Sequence, residues 1–382
     1  MMITIAETTY SNWASSLSKL TGKNISKQAI FKRITPSWVN LMKLLVKQTI
    51  EEQILAYSKH RISLSVFNNI YVQDSTTISL PNIIKTIFPG NMSKGEQKAV
   101  AKINAVINLT TGLCCHLSVT GFTTNEQKLS GSILEIAKAG DLVIRDMGYF
   151  VLEVFKKMHS KNIYFISRLK YGVSLFKNNH RLNLLILLKN KSEIDLQIEC
   201  GKEQLPVRLI AVKLSQEQAS ERIRKAKKDR DRRLNHSKEY YESLKYVLMI
   251  TNIEKAKCNA TGVTELYRIR WQIEILFKSW KSCFKLEHMI PLAKTKTECV
   301  ESIIYMLLLF IIWFEKKILS RLNLENLSIM KLSKEVIMNL SYYLSIEIRR
   351  CDIKHLQYRC KYEKRVRVNA SERLGNLVNE FG

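Results

Sequence analysis

In "YRIRWQIEILFKSWK", residues 267–281, a phenol, two bases and an acid recur at gaps of three, four and seven: Tyr267, Arg270, Glu274 and Lys281. On a helix turning about 100° per residue, these four side chains fall in one narrow sector. Leu266, Ile269, Ile273, Leu276, Phe277 and Trp280 fill one flank, and Trp271 and Ile275 the other. Gln272 and Ser279 are the wetter positions and point elsewhere. A polar stripe with apolar residues on both shoulders suits the charged floor of a groove. Taken alone, the helix is more economically explained by an Arg270–Glu274 pair at i, i+4, worth a few tenths of a kcal/mol and common. Trp271 and Trp280 read as core residues at helical spacing.

One glutamate cannot hold a catalytic metal, so further carboxylates are required. Asp74 in "IYVQDSTTI" follows alternating apolar residues, and Asp146 ends "LVIRD" just before Gly148. An aspartate among apolar strand residues is costly to bury unless paired or metal-bound. Two of them on neighbouring strands, with a helical glutamate, make a hard-oxygen site for Mg²⁺. Asp141 is a rival, but at the head of its strand it better suits a turn cap. His116, His159 and His288 have no metal-ligand spacing.

The elements that must position these residues follow from periodicity. Residues 1–63 read as a helical, helix-turn-helix-like DNA-binding region, with a Thr21-Gly22 turn, a Ser26 cap and Lys27, Lys32 and Arg33 available to phosphates. From residue 64 to 170 the order is three meandering strands, helix, strand, helix, strand, with a hairpin at Thr111-Gly112. Residues 171–245 read as an insertion of small strands, "NLLILLKN" among them, followed by a basic arm with eight bases between Arg222 and Arg233. Residues 246–316 resume the core with a strand and one helix over 264–281, then "IIYMLLLFIIWF", too short to cross a bilayer and suited to a buried helix. Residues 317–382 form a basic, helical C-terminal region. The expected class is α/β: a mixed sheet core with helices packed on it, a strand-rich insertion and helical ends.

Sixty-one Lys and Arg against 34 Asp and Glu leave a formal charge of +27, which attracts polyanions, nucleic acid first among them. The eight cysteines form no C-x-x-C pair, a pattern of reduced thiols in a cytoplasmic protein. The N-terminus lacks the basic start and apolar core of a signal peptide, and no membrane partner is expected.

Together "DSTTISL", "DMGYF" and "YRIRWQIEILFKSWK" resemble the DDE transposases of bacterial insertion sequences. Within them the similarity is to the group whose signature is Tyr, two residues, Arg, three residues, Glu, six residues, Lys. The resemblance spans roughly residues 65–315 and implies a ribonuclease H-like fold with Asp74, Asp146 and Glu274 as catalytic triad and metal ligands. It implies two Mg²⁺ (or Mn²⁺) ions clamping the attacking and leaving oxygens of an in-line phosphoryl transfer. Water frees a 3′-OH at the transposon end, and that hydroxyl attacks target DNA. Tyr267, Arg270 and Lys281 are then implied as DNA-binding residues that grip phosphates. The implied partners are terminal inverted repeats, target DNA and a second copy of the chain in a nucleoid-associated homodimer. A catalytically silent DNA-binding protein and a nuclease that cuts without joining are the alternatives.

Overall fold

The structure, a computed structural model, describes residues 10–57, 66–93, 95–228, 237–284, 296–323, 327–345 and 347–361. His288, the end of the basic arm and residues 362–382 of the basic C-terminal region lie outside the described residues. The chain begins with α1 (Tyr10–Thr21), α2 (Lys27–Arg33) and α3 (Pro36–Tyr57), then β1 (Ile70–Leu80), β2 (Pro89–Ser93), β3 (Glu96–Asn108) and β4 (Leu113–Gly121). Next come α4 (Glu126–Leu129), β5 (Leu142–Arg145), α5 (Leu152–Ser160), β6 (Tyr164–Arg168), β7 (Leu175–Lys177) and β8 (His180–Leu182). They are followed by α6 (Leu184–Leu188), β9 (Glu193–Cys200), β10 (Leu205–Lys213), α7 (Gln216–Lys227), α8 (Lys238–Ser243) and β11 (Tyr246–Thr251). The chain then runs through α9 (Ala260–Arg268), α10 (Trp271–Ser282), α11 (Thr297–Lys317), α12 (Ile329–Met338), α13 (Leu340–Ser345) and α14 (Arg350–Arg359).

These elements form two compact units. The first takes the chain up to Leu64, Val72–Asn125 and everything from Ile269; the second takes Ser65–Tyr71 and Glu126–Arg268. In the first unit β3 lies beside β1 and pairs antiparallel with both β2 and β4. The expected Thr111-Gly112 hairpin joins β3 to β4, with Gly112 at φ 71°. The helix α11 is apolar and long enough to cross a membrane by composition, yet Ile303, Ile304, Leu307, Leu308, Ile311 and Phe314 are buried in this unit, where it packs on α3 and β4. The N-terminal helices obey local capping rules. Ser26 accepts the Ala29 N–H at 3.1 Å to start α2, and Thr35 accepts that of Trp38 at 3.3 Å with Pro36 at the first helical position of α3.

In the second unit β5 and β6 run parallel, and β6, β11, β10 and β9 continue antiparallel. Residue Asn69, at the approach to β1, accepts the Leu142 N–H at 2.8 Å, so the start of β1 borders β5. The chain is mixed α/β, with the mixed sheet, the small strands between β6 and β11 and the helical ends expected of it. Three local expectations need correction. "NLLILLKN" forms the short helix α6, because Asn183 accepts the N–H groups of Leu185 and Ile186 and so caps a turn that the apolar run alone presents as a strand. "SGSILE" is a 3₁₀ helix, and the single helix expected over 264–281 divides at Ile269–Arg270 into α9 and α10. The β7–β8 hairpin turns on Asn178 and Asn179, both in the left-handed region that a two-residue turn requires.

The insertion is held by a buried ion pair. Arg208 is 1% exposed; its Nε and Nη2 donate to the two Asp195 oxygens at 2.5 and 2.7 Å, and its Nη1 donates to the Cys258 carbonyl at 2.6 Å. These bonds hold the Asp195 carboxyl below the usual carboxylate range. Arg208→Met would leave the 14%-exposed Asp195 with only Lys255, at 3.9 Å, as ion partner, and is expected to cost about 3 kcal/mol in a urea titration. A loss under about 1 kcal/mol would show that the pair is dispensable.

Candidate active site

In the first unit, β1 delivers Asp74 and α10 delivers Glu274, and Arg270 joins them. The Arg270 Nη1 donates to Asp74 Oδ2 at 2.8 Å, and Nη2 donates to Glu274 Oε1 at 2.5 Å. The three side chains are 11%, 18% and 34% exposed for Arg270, Asp74 and Glu274, so this is a recessed cluster. The remaining Asp74 oxygen, Oδ1, accepts the Ser75 N–H at 2.8 Å, which orients the carboxylate on its strand. The i, i+4 pair expected from sequence is present, and it is one arm of a bridge that also reaches a strand residue 196 positions away.

Arg270 sits at the N-cap position of α10, so its fork is aimed from the head of one helix and not from the middle of a continuous one. Along α10, Ile273, Leu276, Phe277 and Trp280 are buried as the apolar flank requires, while Gln272 and Ser279, expected on the wetter side, are also buried. Ser279 Oγ donates to the Leu276 carbonyl at 2.8 Å and so needs no water. Trp280 is a core residue; Trp271 is not, being 58% exposed at the first position of α10, on the side opposite the Ile273–Trp280 flank. Lys281 lies seven residues beyond Glu274, near the end of α10, and is half-buried.

In the second unit, Asp146 follows the last residue of β5. The Tyr267 hydroxyl donates to its Oδ1 at 3.3 Å. Behind it, Arg145 is fully buried and ties the strand end to the turn that follows: Nη1 donates to Ser130 Oγ at 2.8 Å and Nη2 to the Ser130 carbonyl at 2.9 Å. Its guanidinium lies over the rings of Tyr149 and Phe155, and burial lowers its pKa to about 9. A Cβ at Gly148 would meet only the Glu126 carboxylate, the far end of a flexible side chain that can swing aside. Asp141 caps its turn, accepting from Asn69 Nδ2 and the Lys138 N–H, both at 2.7 Å.

The structure therefore gathers Asp74, Arg270 and Glu274 in one unit, and Asp146 with Tyr267 in the other. Among the described residues, no group of three or more His, Cys, Asp or Glu side chains gathers as metal ligands. The donor chemistry nonetheless suits a hard divalent cation. Two carboxylates already converge on one positive group, Arg270, and Asp74 and Glu274 would supply hard oxygen donors to such an ion.

The transposase DDE domain family matches residues 67–299, a span that includes Asp74, Asp146, Tyr267, Arg270, Glu274 and Lys281. The chain is 29% identical over 313 residues to the transposase for insertion sequence element IS231F of Bacillus thuringiensis subsp. israelensis, covering 75% of this chain and 65% of that protein. It is 26% identical over 305 residues to the transposase for IS1151 of Clostridium perfringens, covering 73% of this chain and 64% of that protein. The chain thus spans just under two thirds of the length of these relatives. A remote likeness to the piggyBac transposase synaptic complex with hairpin DNA has a TM-score of 0.38 at 9% identity, over 78% of this chain and 59% of that one. With the family match covering well over half of its residues, the chain belongs to the transposase DDE domain family.

Proposed function

We propose that this chain is a Mg²⁺-dependent DDE transposase that cleaves at transposon ends and joins the freed 3′-OH to target DNA. The supporting observation is the Asp74–Arg270–Glu274 bridge: two carboxylates from separate elements share one cation inside the family-matched region. Asp74, Asp146 and Glu274 would hold two Mg²⁺ or Mn²⁺ ions. When bound, the metal polarises phosphoryl oxygens and stabilises the attacking and leaving groups. The chain's own residues bind and orient. Ser75 N–H fixes the Asp74 carboxylate, Arg145 fixes the strand end carrying Asp146, and Tyr267 orients Asp146 through its hydroxyl. Arg270, which here binds both carboxylates, carries the planar fork to grip phosphate beside the scissile bond, and Lys281 adds a point charge.

The exposed Lys27, Lys32 and Arg33 of α2 give the N-terminal region a basic face for DNA, and synapsis of two ends calls for a homodimer. The decisive assay combines the protein, Mg²⁺, the element's terminal inverted repeats and a target plasmid. A joined product supports transposase; cleavage without joining points to a nuclease, and binding alone to a catalytically silent DNA-binding protein.

Arg270 provides a separate test. In the DNA-free protein its guanidinium competes with metal for Asp74 and Glu274, so Arg270→Gln is expected to bind Mn²⁺ about tenfold more tightly by calorimetry while binding terminal-repeat DNA more weakly. Unchanged Mn²⁺ affinity would mean that Arg270 is not the group a cation displaces.

A further inference from the structure

A second charged cluster lies around Asp146, entirely within the second unit. The parallel register pairs Arg145 with Ser167, so Asp146, just after β5, and Arg168, the last residue of β6, both lie at the C-terminal ends of these strands. That end of an open sheet is where α/β proteins place ligands. Arg168 also pairs with Met249 of β11, and its Nε is buried with no hydrogen-bond partner among the described residues. The helix α7, capped by Ser215, brings Arg222 to the start of the same strand, where its Nη1 donates to the Tyr246 carbonyl at 3.3 Å. Arg222 is half-buried and near enough to Arg168 and Tyr267 to feel both. Burial first, then the like charge of Arg168, lowers its pKa, while Tyr267 raises it. Among the described residues neither guanidinium has a carboxylate within ion-pair distance.

Two recessed, mutually repelling guanidiniums are costly unless an anion joins them. We propose that Arg168 and Arg222 form an anion-holding pair that takes a backbone phosphate of the DNA strand entering beside Asp146. The inference rests on the transposase reading, which makes the anion DNA, and it adds the residues that hold the strand on the Asp146 side. An arginine fork can bind two phosphate oxygens at once, and two forks can share one phosphodiester. Arg222 thereby separates from the rest of the basic arm: Arg224, Lys225 and Lys227 follow it on α7 as a solvated face, while Arg222 turns inward.

The test is anisotropy titration of the full chain, without divalent metal, against a labelled duplex ending in the element's terminal repeat, at several salt concentrations. Arg168→Gln and Arg222→Gln are each expected to weaken binding about tenfold, and the double variant to lower the salt slope by about 1–2. The DNA-free double variant is expected to melt no lower than wild type at low salt, since a repulsion has been removed. If it melts several degrees lower yet binds DNA like wild type, the pair is structural and the proposal fails. Wild-type affinity and slope in a double variant of normal stability also overturn it, while leaving the transposase reading intact if wild type still joins ends. No binding by wild type would sink both. Should the glutamine variants be too unstable to titrate, Arg168→Lys and Arg222→Lys decide: a phosphate clamp keeps the salt slope but loses affinity with the fork, and unchanged affinity refutes it.

Discussion

Glu274→Gln is expected to lower cleavage at the terminal repeat by at least about 10³-fold, equivalent to about 4 kcal/mol of barrier, while DNA binding stays within about twofold. The amide has the shape of the carboxylate, so the packing of Ile273, Leu276, Phe277 and Trp280 along α10 is kept. The lost property is one negative charge from the pair that now shares Arg270. Asp74→Asn should be comparably inactive but less benign to the fold, because Asp74 is the more buried of the two carboxylates and holds Arg270 at 11% exposure. Gel analysis of an end-labelled duplex, with anisotropy as the binding control, separates the steps. Undiminished cleavage by Glu274→Gln, with DNA still bound, would remove this residue from the triad.

The spacing of Tyr267, Arg270, Glu274 and Lys281 was legible in the sequence because a helix imposes its period on side-chain type. The partners of that stripe were not. The link from Arg270 to Asp74 joins residues 196 apart, and no local period encodes it. The break at Ile269–Arg270 was hidden as well, since no Gly or Pro marks it and every residue there tolerates a helix. Polarity sets Gln272 and Ser279 on the wetter side, yet both are buried, and a serine that donates to a carbonyl three residues back carries its own satisfaction into the core. Strands such as "LVIRD" and "YFISR" were readable as apolar runs, and each ends in a charge. Only the parallel register reveals that the two strands end together, with Arg145 opposite Ser167, and that register is a tertiary fact.

The same limit conceals Glu315, whose titration is expected to dominate the pH dependence of stability near neutrality. It lies on α11 with its side chain fully buried; Oε2 accepts the Cys114 N–H at 2.9 Å, and Oε1 has no hydrogen-bond partner among the described residues. Burial raises its pKa to about 8, against the smaller opposing pull of that N–H. The native state therefore keeps the proton to about pH 8, while the unfolded chain releases it near 4.5. Stability from this group is present below the unfolded value, falls as pH rises through that window, and is lost above the folded value. The loss reaches on the order of 3 kcal/mol by pH 7. Glu315→Gln keeps an acceptor for Cys114 N–H and cannot ionise. The variant should match wild type near pH 5 and exceed it by about 3 kcal/mol or more at pH 8, read as the difference between denaturant curves at each pH. Because other ionisable groups are common to both proteins, their contributions cancel in that difference. Parallel stability profiles from pH 5 to 8 would show that Glu315 does not carry a buried proton.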